Sequence, residues 1–203
     1  MSPDDATEML ATARRDPAAL GRLLEQYRQY LRLLARIEIG RRMQGKVDAS
    51  DVVQEAFLDA HRYFPAFRGG SEAQFTAWLR EILAGTLANQ VRRYFGTQAR
   101  DPRLEVGLRA DLDQSTAGLG AIPVDPQTSP SQQAARAEQS LLVAEAIGRL
   151  GDDYQTVIVL RHLEGLTFPQ VAERMGRTVD SVEKLWMRAL AQLKRSMTAE
   201  GQP

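Results

Sequence analysis

Apolar residues recur at helical spacing along most of the chain, and the clearest pattern lies in its last quarter. Between residues 167 and 176, four apolar side chains share one face of a predicted helix. Thr167 is a suitable N-cap for this helix, and Gly176 can take the left-handed conformation that ends it. Either Thr178 or Asp180 is suited to cap the next helix. That helix carries a second apolar stripe, formed by Val182, Trp186, Ala189, Leu190, Leu193 and Met197.

Two helices joined by so tight a turn, with cations on the outer face of the second, are the layout of a helix-turn-helix reader of the DNA major groove. Lys184, Arg188 and Arg195 supply these cations. The alternative is an ordinary helical hairpin, which also has a buried stripe and a charged outer face. The short turn favours the DNA-binding interpretation.

The first half of the chain predicts further helices. Asp16-Pro17 begins one helix whose apolar face continues to Leu34, Asp48 caps another, and a long one runs from Glu72 to Phe95. Residues 101–135 are rich in Asp, Pro, Gly, Ser, Thr and Gln, which predicts a linker that stays flexible or orders only on a partner. No segment predicts a β-strand. We therefore expect an all-α protein with one helical domain in residues 1–100 and a second, the helix-turn-helix domain, in residues 136–203.

Composition narrows the classes of function. The 203 residues have a formal net charge of zero, so a nucleic-acid surface must be local and balanced by acidic faces elsewhere. The absence of cysteine excludes disulfides and thiolate metal sites, and two histidines do not predict a histidine metal cluster. We expect no metal or other cofactor. The N-terminus lacks the apolar core of a signal peptide, and no apolar run is long enough for a membrane span, so a cytoplasmic protein is expected.

A mostly acidic patch lies on the outer face of the helix that Asp48 caps. Its residues fall at positions i, i+3, i+4 and i+7: Asp51, Gln54, Glu55 and Leu58. A leucine among acidic residues is unusual for a purely solvated face, and the patch suits docking against a basic partner surface. Nothing around it predicts a catalytic carboxylate pair.

A glycine-containing loop and the helix after it have the composition of a single-strand binding surface. Residues 65–71 contain two glycines, one arginine and Phe67. Along the following helix, a line of side chains starts at Trp78, passes Asn89 and ends in Arg92, Arg93, Tyr94 and Phe95. Aromatic faces stack on bases and arginines bind phosphates. For the loop alone, a plain turn with core aromatics is the alternative.

These pieces together resemble the sigma-70 family of bacterial RNA polymerase sigma factors, in its short extracytoplasmic-function (ECF) type. Residues 48–60 (DASDVVQEAFLDA) are similar to the family's polymerase-binding region. Residues 77–82 (AWLREI) with Arg92-Arg93 resemble its promoter-melting helix. Residues 163–172, Ser181-Val182 and residues 188–190 resemble its upstream-promoter reader. The resemblance covers roughly residues 17–100 and 136–197 and leaves the linker unmatched.

The resemblance implies a non-enzymatic factor that binds core RNA polymerase, through the β′ clamp and the β subunit, and directs promoter recognition, promoter opening and transcription initiation. The implied clamp contacts are Asp51, Gln54, Glu55 and Leu58. The unwound minus-ten strand would be held by Arg68, Ser71, Gln74, Trp78, Asn89, Arg92, Arg93 and Tyr94. The minus-thirty-five duplex would be read by Thr178, Ser181, Glu183, Lys184 and Arg188. The linker would pass near the RNA exit path, and an anti-sigma factor is a further partner to test for.

The chain departs from the family pattern at two places. Gly85 lies where family members commonly carry an asparagine, so either Asn89 takes its place or the pocket differs. Glu183 and Leu185 stand where relatives are often more basic or polar. Glu183 can accept from a cytosine amino group, whereas Leu185 can only touch a thymine methyl group or pack.

The main alternative to a sigma factor is a helix-turn-helix regulator that binds duplex DNA alone and uses its first domain for dimerisation or sensing. An enzyme is disfavoured, because the sequence shows no phosphate-binding glycine loop, no nucleophile paired with a base and no plausible metal set.

Overall fold

The computed structural model describes residues 3–43, 47–95, 103–120 and 133–200, and every regular element in these ranges is helical. The predicted all-α class is therefore confirmed. The helices are α1 (Pro3–Ala13), α2 (Pro17–Gln26), α3 (Arg28–Arg42), α4 (Ala49–Tyr63), α5 (Glu72–Phe95), α6 (Arg103–Gly120), α7 (Gln133–Gly148), α8 (Asp152–Ile158), α9 (Phe168–Met175) and α10 (Val179–Glu200). A 3₁₀ turn (Phe64–Ala66) follows α4, and a π-helical turn (Val159–Leu163) continues α8.

The chain forms two compact units, residues 1–113 and residues 114–203, and the division falls within α6. The domain boundaries predicted from composition lie at residues 100 and 136, so they differ from this division. Among the helices of the described ranges, none is long and apolar enough to cross a membrane.

In the first unit, α2 and α3 are separate helices, although the apolar pattern predicted one continuous helix. The Asp16 carboxylate accepts a hydrogen bond from the backbone N–H of Ala18 at 2.9 Å and caps α2, which begins at Asp16-Pro17 as predicted. The helical hydrogen bonding breaks at Tyr27, whose side chain is buried. Arg28 spans the break with two bonds to the Glu25 carboxylate, at 2.6 and 2.8 Å. The apolar stripe continues across the break, which is why periodicity did not reveal it.

The core of the first unit is packed between α3, α4 and α5. One apolar line along α5 is buried, as are the inward residues of α4: Leu79, Leu83, Leu87, Val91, Val52, Val53, Ala56, Phe57 and Ala60. The Asp48 carboxylate accepts from the Ser50 N–H at 2.6 Å, which confirms the predicted cap of α4. This packing fixes which face of α4 points outward.

One charged residue of α3 lies in the core. Glu38 is fully buried and forms ion pairs with Arg41 at 3.0 Å and Arg42 at 3.2 Å. Burial raises the pKa of the Glu38 carboxyl, against the attraction of the two arginines. Two arginines at the end of α3 are therefore used to neutralise a buried acid.

The predicted linker contains a helix that its composition did not predict. The first half of α6 belongs to the first unit, where Leu108 and Leu112 are fully buried. Asp111 pairs with Arg42, and Asp113 pairs with Arg80 at 2.7 Å. These two leucines, four residues apart, form a short helical stripe. The residues around them are polar, so the average composition of the segment does not reveal the stripe. Residues 101–102 and 121–132 of the predicted linker lie outside the described ranges.

The second unit is built around α7, α8 and α10. Its buried side chains include Val143, Ile147, Val157, Ile158, Val182, Ala189 and Leu193. The second half of α6 belongs to this unit, where Leu119 is buried and Ser140 donates to the Thr116 carbonyl at 3.0 Å. This core supports the pair α9 and α10.

Candidate nucleic-acid interfaces

The helix-turn-helix of the second unit forms as predicted. The Gln170 side chain accepts from the backbone N–H of Thr167 at 2.8 Å, completing a capping box at the start of α9. Gly176 ends α9 in the left-handed conformation, with φ of 62°. Of the two candidate caps for α10, Thr178 is the one used, because its hydroxyl accepts from the Ser181 N–H at 3.3 Å.

The N-terminal half of α10 presents a polar face. Thr178, Glu183, Lys184 and Arg188 are exposed, and Ser181 is half-buried. The Lys184 ammonium donates to the Asp180 carboxylate at 2.8 Å, an exposed pair that is easily exchanged for a phosphate contact. The arrangement is suited to contacts with base edges and phosphates in a major groove.

One exposed residue of this face is not among the predicted DNA contacts. Met187 is 64% exposed, one helical turn after Glu183 and Lys184. It lies off the apolar stripe of α10, and an apolar side chain off the stripe was the signal that could have identified it. A methionine here can contact a thymine methyl group.

A hydrogen-bonded pair of rings lies beneath this face. The Trp186 indole N–H donates to His162 Nε2 at 2.9 Å, and Trp186 packs edge-on to Phe168 with ring centroids 5.5 Å apart. Burial, and then the nearby Arg161 charge, lower the pKa of His162. Neutral His162 thus links the π-helical turn to α10 and helps to orient that helix.

On the first unit, the structure places three of the four predicted polymerase contacts in the open. Asp51 and Gln54 are exposed, and Leu58 is 62% exposed. Glu55 is half-buried, since its two oxygens accept from Gln90 Nε2 at 2.7 Å and from Arg93 Nη1 at 3.4 Å. The carboxylate of Glu55 therefore joins α4 to the basic end of α5, a contact that sequence periodicity did not predict.

The loop between α4 and α5 has a defined backbone. The Gln74 side-chain oxygen accepts from the N–H groups of Gly70 at 2.8 Å and Ser71 at 3.3 Å, and the Ser71 hydroxyl accepts from the Gln74 N–H at 3.3 Å. Arg68 is exposed and donates to the Pro65 carbonyl at 2.6 Å. Ser71 and Gln74, both predicted DNA contacts, therefore also hold the loop in shape.

Trp78 belongs to an aromatic cluster with two rings that precede α5, Phe64 and Phe67, and one ring of α5 itself, Phe75. Its ring centroid lies 4.9 Å from that of Phe67, 5.6 Å from Phe75 and 6.0 Å from Phe64. Phe64 and Phe75 are buried, so the alternative of core aromatics holds for Phe64, one of the two rings that flank the loop. Trp78 and Phe67 are only half-buried, which leaves part of each ring open beside the loop.

The end of α5 is polar, basic and aromatic. Arg92 donates to the Asn89 side-chain oxygen at 2.9 Å, and Tyr94 is 51% exposed. Asn89 is exposed one helical turn after the half-buried Gly85. Open aromatic faces with arginines beside them can bind the bases and phosphates of a single strand. In the ranges that the structure describes, no group of three or more His, Asp or Glu is placed to hold a metal ion.

Comparison with known proteins gives consistent matches. A family model described as Sigma-70 region 2 matches residues 26–94, and one described as Sigma-70, region 4 matches residues 140–193. The chain is 35% identical to the ECF RNA polymerase sigma-E factor of Haemophilus influenzae over 142 residues, which is 70% of each chain. It is 33% identical to the ECF RNA polymerase sigma-E factor of Escherichia coli K12, over 70% of each chain, and 28% identical to the RNA polymerase sigma factor YlaC of Bacillus subtilis, over 85% of this chain and 90% of that one.

Proposed function

The chain belongs to the sigma-70 family of RNA polymerase sigma factors, in its ECF type, and we propose that it uses three exposed surfaces, one to bind polymerase and two to recognise promoter DNA. A sigma factor is a specificity subunit and not an enzyme. The alternative of a stand-alone helix-turn-helix regulator is not favoured, because the region 2 match covers α3 to α5, which such a regulator does not need.

The outer face of α4 is the proposed contact with the clamp of the polymerase β′ subunit. The observation that carries this proposal is the contrast along α4, where Val52, Val53 and Ala56 are buried while Asp51 and Leu58 stay open. Acidic groups around an exposed leucine fit a basic surface with an apolar centre, since charges steer association and the apolar contact supplies affinity.

The loop and the outer side of α5 form the proposed site for the unwound minus-ten strand. Trp78 and Tyr94 offer ring faces, Arg68, Arg92 and Arg93 offer cations, and Ser71, Gln74 and Asn89 offer hydrogen-bonding groups. Pulling one base out of the stack costs a few kcal/mol, so the strand that provides the best base contacts is selected.

The polar face of α10 is the proposed reader of the minus-thirty-five duplex. Glu183 would accept from a cytosine amino group, and Lys184 and Arg188 would bind phosphates or guanine. Met187 adds an apolar contact. Thr178, which caps α10, and Ser181 in the first turn would place that turn against the DNA backbone.

The domain roles follow from these surfaces. Residues 1–100 would bind the clamp and the minus-ten element, residues 136–203 the minus-thirty-five element and the β subunit, and residues 101–135 would connect them near the RNA exit path. An anti-sigma factor is a further proposed partner, which would compete for the same surfaces.

The test compares two charge reversals on the first unit. Asp51→Lys changes the α4 patch, and Glu8→Lys makes the same change of charge on the exposed face of α1. Binding of the labelled full chain to purified core RNA polymerase is measured by fluorescence anisotropy. We expect Asp51→Lys to weaken binding about tenfold or more and Glu8→Lys to change it less than about twofold. Equal effects of the two variants would contradict the proposed clamp surface.

A further inference from the structure

A segment outside the matched family region reaches the loop between α4 and α5. The region 2 match begins at residue 26, whereas α1 ends at Ala13. The guanidinium of Arg14, in the turn between α1 and α2, donates a hydrogen bond from Nη2 to the backbone carbonyl of Gly69. The two residues are 55 positions apart in the sequence. This contact therefore joins the N-terminal helices to the centre of the loop.

The turn that carries Arg14 is itself fixed. The N–H of Arg14 bonds to the Leu10 carbonyl at 3.2 Å, and the N–H of Asp16 bonds to the Thr12 carbonyl at 3.0 Å. Leu10 and Ala13 are buried, so the end of α1 is anchored in the core of the first unit. Arg14 consequently extends from a fixed point, and little of its backbone freedom remains to be lost when the bond forms.

The loop is also held by side chains of its own and of α5. Gln74 accepts from the N–H groups of Gly70 and Ser71, as described above. A side chain at Gly69 would have no room, because an added Cβ would lie 2.3 Å from the Phe67 ring and 2.9 Å from the Gln74 Cβ. Phe67 in turn packs on Trp78. The backbone at Gly69 is thus in contact both with Arg14 and with the Gln74 and Phe67 side chains.

We propose that Arg14 is a positioning residue for base recognition: its bond to the Gly69 carbonyl fixes the loop that selects an unpaired base of the promoter strand. The inference rests on the proposed function of the loop in minus-ten recognition. It adds a residue that neither the family match nor the sequence pattern includes. Arg14 acts through the loop backbone, so its loss should reduce the discrimination between bases more than the total amount of DNA bound.

The test uses the full chain bound to core RNA polymerase and a short single-stranded DNA library with randomised central positions. Bound and free DNA are sequenced, which yields the enrichment of each base, and the total bound fraction is measured separately. Arg14→Ala should lower the enrichment ratio of the preferred base about three- to tenfold, as expected for loss of one positioning bond of about 1 kcal/mol. Arg14→Lys should retain most of the selectivity, because an ammonium can donate to the same carbonyl.

Two further variants separate positioning from charge. Arg15→Ala removes a neighbouring exposed cation for which the described residues show no side-chain hydrogen bond, and it should leave the enrichment ratio unchanged. Gly69→Ala displaces the loop from within and should reproduce the loss seen with Arg14→Ala. Hydrogen exchange of the peptide spanning residues 65–74, measured on the full chain, should become faster in Arg14→Ala and not in Arg15→Ala.

The outcomes distinguish this inference from the function it rests on. If wild-type protein shows no base preference, the proposed minus-ten role of the loop is wrong and the inference is wrong with it. If wild-type protein selects a base and Arg14→Ala selects it equally well, only the inference is wrong. If Arg14→Ala and Arg15→Ala lower total binding equally at an unchanged ratio, Arg14 contributes only charge, and the positioning role is overturned.

Discussion

Leu58 provides the sharpest test of the polymerase-binding surface, because its contribution can be worked out from its exposure. It keeps 62% of its surface open on α4. Since fully burying a leucine is worth about 1.5–3 kcal/mol, covering the open part of Leu58 is worth about 1–2 kcal/mol. Leu58→Ala should therefore raise the Kd for core RNA polymerase about five- to thirtyfold. The free energy of unfolding should change by less than about 0.5 kcal/mol, because the side chain contributes little to the core.

The assay for this prediction is anisotropy of the labelled full chain titrated with core RNA polymerase, together with thermal unfolding of the free chain. Met187→Ala is the matched control, because Met187 is an apolar side chain of similar size that is 64% exposed on the other unit. It should leave polymerase affinity unchanged and alter the promoter preference of the holoenzyme. A Leu58→Ala protein that binds polymerase like wild type, or equal losses in both variants, would refute the reasoning.

Three other changes have defined outcomes. Replacing Arg92 and Arg93 together by alanine should weaken promoter opening and lower the slope of log affinity against log salt for single-stranded DNA by up to about 1.4, since each phosphate contact contributes about 0.7. Gly176→Ala should destabilise the second unit by about 1–2 kcal/mol in thermal unfolding, because its φ of 62° is left-handed. The stability of the second unit should fall as pH drops below about 6.5, because burial lowers the pKa of His162 in the folded state and the unfolded chain takes up the proton first. Trp186 fluorescence during unfolding at several pH values measures this loss.

The Gly176 and His162 predictions have control variants, and each of the three predictions has an outcome that would contradict it. Gly85→Ala is the control for Gly176→Ala. Gly85 lies in the helical interior of α5, where an added Cβ meets no atom within 4 Å, so the substitution should be neutral or stabilising by up to about 1 kcal/mol. A Gly176→Ala protein as stable as wild type would contradict the role of the left-handed turn. His162→Gln should remove the pH dependence, and stability independent of pH in the wild-type protein would contradict the buried neutral histidine. An unchanged salt slope would show that neither arginine contacts phosphate.

Much of the helix-turn-helix could be predicted because its signals are local. The capping box at Thr167, the left-handed Gly176 and the cap at Thr178 each depend on residues within four positions of one another. The polar outer faces of α4 and α10 followed from the same periodicity, since residues opposite a buried stripe must face outward. The family resemblance added the assignment of these faces to particular partners, which periodicity alone does not supply.

Other features could not be read from the pattern. The break at Tyr27 left the apolar stripe unchanged, and the stripe of α6 was too short to be noticed within a polar segment. The burial of Glu38 depends on its two arginines and on the packing around it. Met187 was the exception, because its position off the stripe was visible in the sequence.

The sequence by itself therefore determined where most helices begin and end, which faces they bury and which family the chain resembles. These properties depend on residues close together along the chain, whose geometry the helix repeat sets. The tertiary structure decided that Glu55 joins Gln90 and Arg93, and that Arg14 reaches Gly69. Such contacts join residues 35 or more positions apart, and they exist only once packing of the core has brought the helices together.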